Sequence, residues 1–142
     1  MIVIDASVWI SGMVSADALN HSSAAWLNRT NEIGLKLVVP AHFPAEVVGV
    51  LQRTAPGEHI LEDMIETLFD PDFFDIRQIT LELARLSAKI AVGSAIRGSD
   101  AINVALAAML DLPLVTWDRQ QRERGALFCR TMTPVEAMEM TE

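Results

Sequence analysis

Residues 1–10, MIVIDASVWI, decide the fold. Met1 to Ile4 form a short, continuously apolar run rich in β-branched residues, the pattern of a strand buried on both faces of a parallel sheet. Asp5 ends that run, with Ser7 close behind and Val8, Trp9 and Ile10 resuming the apolar pattern. A carboxylate at the exit of a buried strand needs hydrogen-bond donors or a cation, because burying an unpaired charge is costly. Asp5 therefore raises the question of function at once.

Working outward, short β-like runs alternate with helical stretches. LKLVV (35–39), FFDIRQI (73–79), LPLVT (112–116) and ALFCRTM (126–132) read as further strands. HSSAAWLNRTNE (21–32), HFPAEVVGVLQR (42–53), GEHILEDMIETLF (57–69), LELARLSAKIAV (81–92), ending at Gly93, and SDAINVALAAML (99–110) read as helices. In the third of these, Ile60, Met64, Ile65 and Leu68 make an apolar stripe, with Glu58, Glu62, Asp63 and Glu66 as a solvated face. DRQQRE (118–123) reads as a short helix or loop stopped by Gly125, and TPVEAM (133–138) as a terminal turn. Met109, Met132, Met138 and Met140 read as packing residues, and Trp9 as core. Strands joined by helical crossovers imply an α/β fold, a central parallel sheet covered by helices on both faces. No repeat, low-complexity tract or linker interrupts residues 1–142, so a single domain is expected.

The totals exclude several classes. A net charge of -8 argues against a protein that holds nucleic acid by bulk positive charge, though not against one that reaches it through bound cations. Cys129 is the only cysteine, which rules out an intrachain disulfide and suits a cytoplasmic protein. The N-terminus lacks the basic and apolar regions of a signal peptide, and AINVALAAML (101–110) is too short to span a bilayer, so no membrane partner is expected.

Asp5 and Asp118 each follow a strand, where ligands collect in parallel sheets. Asp100 stands at the start of the buried helix, a position that also suits an N-cap, with Asn103 a turn further along the same face. Glu46 lies in the first turn of its helix, at the edge of the stripe formed by Phe43, Val47 and Val50. Collected, the four acids suggest one oxygen-rich pocket that favours Mg²⁺ or Mn²⁺ over zinc.

VIDASVWI (3–10), Glu46 after VVPAHFPAEV, RGSDAINVALA (97–107) and LPLVTWDRQ (112–120), in that order and spacing, resemble the PIN-domain ribonucleases, specifically the VapC-like toxins of prokaryotic toxin–antitoxin pairs. The resemblance implies a three-layer PIN-like fold with Asp5, Glu46, Asp100 and Asp118 as the acidic quartet. Ser7 matches the hydroxyl position supporting the first aspartate, and Thr116 the small polar residue two places before the last. Trp117 departs from the aliphatic residue that the family's pattern has there, which bears on the shape of the pocket. The implied activity is Mg²⁺- or Mn²⁺-dependent hydrolysis of RNA phosphodiesters, with Asp5 and Asp100 anchoring the principal ion, Glu46 and Asp118 completing the site, and 5′-phosphate products. Arg97, Arg119, Arg122 and Arg124 flank the pocket and could bind RNA phosphates. A homodimer and a VapB-like antitoxin covering the acidic groove are implied as well; any promoter DNA contact would belong to the antitoxin.

Two other readings are weaker. A phosphatase of the haloacid-dehalogenase type needs a second Asp where Ser7 stands, and a receiver domain needs a Lys where Arg119 stands. A catalytically inactive PIN-fold module that binds RNA or protein is the remaining alternative. His21, His42 and His59 offer no arrangement for a histidine-driven ribonuclease.

Overall fold

The computed structural model describes residues 1–54 and 61–141; Glu58, His59 and Ile60 lie outside the described residues. The elements run β1 (Ile2–Ile4), α1 (Ala6–Met13), α2 (Asn20–Glu32), β2 (Leu37–Pro40), α3 (Phe43–Thr54), α4 (Leu61–Leu68), β3 (Phe74–Arg77), α5 (Leu81–Ser94), α6 (Gly98–Leu110), β4 (Leu114–Val115), α7 (Arg119–Gly125), β5 (Thr131–Met132) and α8 (Pro134–Thr141). Among the described residues the five strands are all parallel, in the order β3-β2-β1-β4-β5.

Strand alternation distributes the core. Ile2 and Ile4 of β1, with Leu37 and Val39 of β2, face one layer that includes Trp26, Phe43, Val47 and Leu68. Val3 and Val38 face the opposite layer, against Leu83 and Ile90 of α5 and Val104 and Ala105 of α6. The period of two thus divides one sheet between two helical layers, the three-layer architecture expected from the apolar strands. Trp9 is buried and meets Phe74 edge-on with ring centroids 4.9 Å apart, as its core reading requires.

Three local expectations need correction. ALFCRTM forms a strand only at Thr131 and Met132, because the N–H groups of Phe128 and Cys129 turn back to the Gly125 carbonyl. TPVEAM begins a helix, α8, rather than a turn. The Thr133 hydroxyl accepts from the Glu136 N–H while the Glu136 carboxylate accepts from the Thr133 N–H, a reciprocal capping box with Pro134 in the first turn. Met132 is buried and Met138 packs at the core's edge, but Met109 and Met140 are exposed.

The strand order reverses between β1 and β4, so the connections leaving their carboxyl ends run to opposite sides and open a crevice there, the usual ligand position in open parallel sheets. Asp5 follows β1 and Asp118 lies three residues after β4. Among the described residues, no helix is long and apolar enough to cross a membrane.

Candidate functional site

Asp5 is the N-cap of α1 and 5% exposed. One carboxylate oxygen, Oδ2, accepts from the Ser7 N–H at 3.1 Å and from the Thr116 hydroxyl at 3.2 Å, and the other, Oδ1, accepts from Asn103 Nδ2 at 3.0 Å. Three separate segments of the chain thus fix one side chain. The Ser7 hydroxyl is not among its donors: it accepts from the Trp117 N–H at 3.2 Å. Ser7 supports Asp5 through its backbone instead.

Asp118 caps α7, accepting from the Gln121 N–H at 2.8 Å, and its own N–H donates to Thr116 Oγ1 at 3.0 Å. Thr116, fully buried, therefore holds two of the four acids with one oxygen. Asp100 is not the N-cap of α6; that position is Arg97, and Asp100 is the third helical residue, inside the first turn. Glu46 occupies the first turn of α3, with Oε2 3.5 Å from His42 Nε2. That contact is no charge pair. Burial holds the imidazole below its ordinary pKa, against the opposing pull of Asp5, and neither ring nitrogen makes a hydrogen bond.

All four acids line one cavity of about 470 Å³, together with Ser7, Arg97 and Trp117. Their electrostatics are those of crowded anions. Burial, reinforced by Asp5 and Asp100, pushes Glu46 up to about 7. Burial, reinforced by Asp5 and Asp118 and opposed by Arg97, pushes Asp100 up to about 6. Among the described residues, none of the four carboxylates has a Lys or Arg nitrogen within 4.0 Å. Nor does any group of three or more His, Cys, Asp or Glu side chains stand close enough together there to hold a metal ion. Like charges in one crevice repel, so the acids share the cavity without converging on a point.

The family model described as PIN domain matches residues 2–127. The chain belongs to the PIN-domain family. The fold of this PIN domain is similar to that of FitAB bound to a DNA fragment, with a TM-score of 0.74, 19% identity and coverage of 95% of this chain and 96% of that one. It is also similar to the Mycobacterium tuberculosis toxin VapC20, which cleaves the sarcin-ricin loop (TM-score 0.74, 15% identity, 88% of this chain and 95% of that one). FitAcB from Neisseria gonorrhoeae gives a TM-score of 0.69 at 20% identity, over 94% of this chain and 98% of that one. No curated protein matches the chain.

Of the four arginines singled out in the sequence, Arg97 lines the crevice of the PIN domain. Arg119 is exposed and donates to Glu123 at 2.7 Å, Arg122 donates to the carbonyls of Trp117 and Thr116, and Arg124 donates to the Ala95 carbonyl. Arg122 thereby braces the turn that carries Asp118. Gln121, 1% exposed, was missed in the sequence: its backbone N–H donates to the capping Asp118 carboxylate and its Oε1 lies 3.5 Å from Asn103 Nδ2. The spacing Asp118-x-x-Gln121 is that of a capping box, a signal that would have singled it out within an otherwise polar run.

Proposed function

We propose that this PIN domain is a divalent-metal-dependent endoribonuclease, the toxin of a VapC-like pair, with Asp5, Glu46, Asp100 and Asp118 as its acidic site. PIN domains are generally nucleases. One observation carries the reading: four carboxylates share a half-buried crevice in which, among the described residues, none is paired with a Lys or Arg within 4.0 Å and Arg97 is the one basic side chain in the lining, so the negative charge exceeds what the protein itself offsets. An all-oxygen donor set suits Mg²⁺ or Mn²⁺, and the unpaired, desolvated acids fit such an ion. Asp5 and Asp100 would anchor it, and Glu46 and Asp118 would complete the site. When bound, the ion lowers the pKa of a coordinated water and offsets phosphate charge.

The chain's own groups do the remainder. Asp5, held by three donors, keeps its orientation as substrate arrives. Asp118 is fixed by the α7 cap and by Thr116. The Arg97 side chain makes no capping bond and is available to a substrate phosphate at the mouth of the crevice. Hydrolysis at this site would leave 5′-phosphate and 3′-hydroxyl ends. The toxin VapC20 among the structural neighbours supports the RNA and toxin parts of the reading. A basic antitoxin segment is the partner that an acidic crevice would attract, and a cytoplasmic homodimer completes the proposal.

The spacing of the acids favours one alternative, an inactive PIN-fold module that binds RNA or protein. Purified protein freed from any partner, given a mixed RNA pool with Mg²⁺ or Mn²⁺ and then with EDTA, separates the two. Metal-dependent cuts bearing 5′-phosphates, absent from Asp5→Asn, are the expected result; a folded protein that binds no metal and cuts nothing would leave the inactive module.

A further inference from the structure

The acids occupy only part of the crevice. Beyond them the lining includes a further carboxylate, Asp17, and an apolar wall of Ile10, Leu19, Val50 and the half-buried Trp117. A hydrated ion uses none of this apolar wall, and a cavity of about 470 Å³ has room for more than an ion.

Trp117 is held there from two sides. Its Nε1–H donates to Ser23 Oγ at 2.7 Å, and its backbone N–H donates to Ser7 Oγ. Ser23 is itself fixed by a 2.7 Å hydrogen bond with Ser11, and both hydroxyls are buried. Since the indole N–H is already engaged by α2, the ring offers the crevice apolar carbon and no donor. Its orientation is set before any ligand arrives, so little ordering remains on binding. Trp117 also immediately precedes Asp118, which places this surface beside the acids that would act on a phosphate.

Resting on the nuclease reading above, we propose that Trp117 is a stacking platform for an unpaired nucleobase adjacent to the scissile phosphate. Every base has a π face, and stacking on a fixed aromatic ring is a sequence-tolerant way to hold a single strand. Arg97 supplies the phosphate contact on the same crevice, so base and backbone are gripped together. The substrate class that fits is single-stranded or looped RNA. A base inside a duplex is stacked on its neighbours and cannot reach the indole.

The other two tryptophans make the test direct. Trp9 and Trp26 are 7% and 0% exposed, so quenching by an oligonucleotide reports Trp117. The Asp5→Asn protein in Mg²⁺, titrated with a mixed-sequence single-stranded RNA octamer, should lose indole fluorescence on binding, and the corresponding duplex should not quench it. In the same background Trp117→Leu should weaken octamer binding by about tenfold, within the range of one stacked base. Trp117→Phe also loses the Ser23 bond but keeps a ring, and should hold affinity within about threefold of the parent, a difference that stacking explains and structural damage does not. Equal weakening by Leu and Phe, equal quenching by duplex, or octamer binding without quenching would each overturn the platform. Failure of the nuclease reading is distinct: the native protein would cut no RNA with metal while the octamer still quenched Trp117.

Discussion

Thr116 shows how much of the site depends on one hydroxyl. Its oxygen donates to Asp5 and accepts from the Asp118 N–H, so two carboxylates that follow neighbouring strands take their positions from a fully buried side chain. Thr116→Val keeps the shape and removes the oxygen, leaving the buried Asp5 carboxylate short of one donor and the half-buried Asp118 N–H short of one acceptor. The expected cost is about 1–3 kcal/mol, read from urea melts. RNA cleavage should fall chiefly in kcat, because the acids would be displaced while Arg97 and Trp117 remain. A loss confined to KM would instead place Thr116 on the substrate-binding side. Asn103 and Gln121 act on the same two acids from α6 and α7, so their effects and that of Thr116 should not add.

At the scale of elements, α8 is the piece whose existence depends on its first turn. Its eight residues are too few for a helix that is stable alone. The reciprocal Thr133 and Glu136 bonds satisfy donors at its N-terminus, and Ala137 anchors it on the core. Thr133 holds the Glu136 carboxyl below its ordinary range through those hydrogen bonds. Thr133→Ala should therefore cost about 1 kcal/mol, seen as a lower denaturation midpoint. Arg29 of α2 donates to the Thr141 carbonyl at 2.9 Å, which fastens the other end. Hydrogen exchange in Thr133→Ala should rise first in α8, leaving β1 and β4 protected; uniform acceleration would mean that α8 does not open separately.

For the whole molecule, the -8 net charge and the crowded acids make stability depend on pH and cations together. Glu46 and Asp100 are raised in the folded chain to about 7 and about 6, above their ordinary values of 4.5 and 3.8. The folded state thus binds more protons than the unfolded state across that window. Their contribution is fully present below the ordinary carboxylate range and is lost as pH rises through about 6 and then about 7. In EDTA the melting temperature should therefore fall between pH 5 and pH 8. Binding of Mg²⁺ or Mn²⁺ requires the deprotonated acids, so its stabilisation should be larger at pH 8 than at pH 5. Calorimetry at the two pH values, with metal and with EDTA, checks both signs. Metal stabilisation that is equal at both would separate the ion from Glu46 and Asp100.

The sequence by itself determined the layered parallel fold, because short, continuously apolar runs at β1, β2 and β4 have no stable place except a sheet covered on both faces. It also marked the four acids, since Asp5 and Asp118 at strand exits and Glu46 and Asp100 in first turns stand out from the solvated Glu62 and Glu66. Local pattern was insufficient where long-range contacts decide: Arg122 turned inward to the Trp117 carbonyl, and Trp117 itself was placed by Ser23, a residue of α2 remote in sequence. Only the tertiary structure joined Asp5 to Asn103 and Thr116, because those hydrogen bonds exist once β4 lies beside β1 and α6 packs across them. Apolar periodicity depends on each residue's neighbours along the chain, whereas the direction of a buried polar side chain is set by whichever partner the fold brings to it.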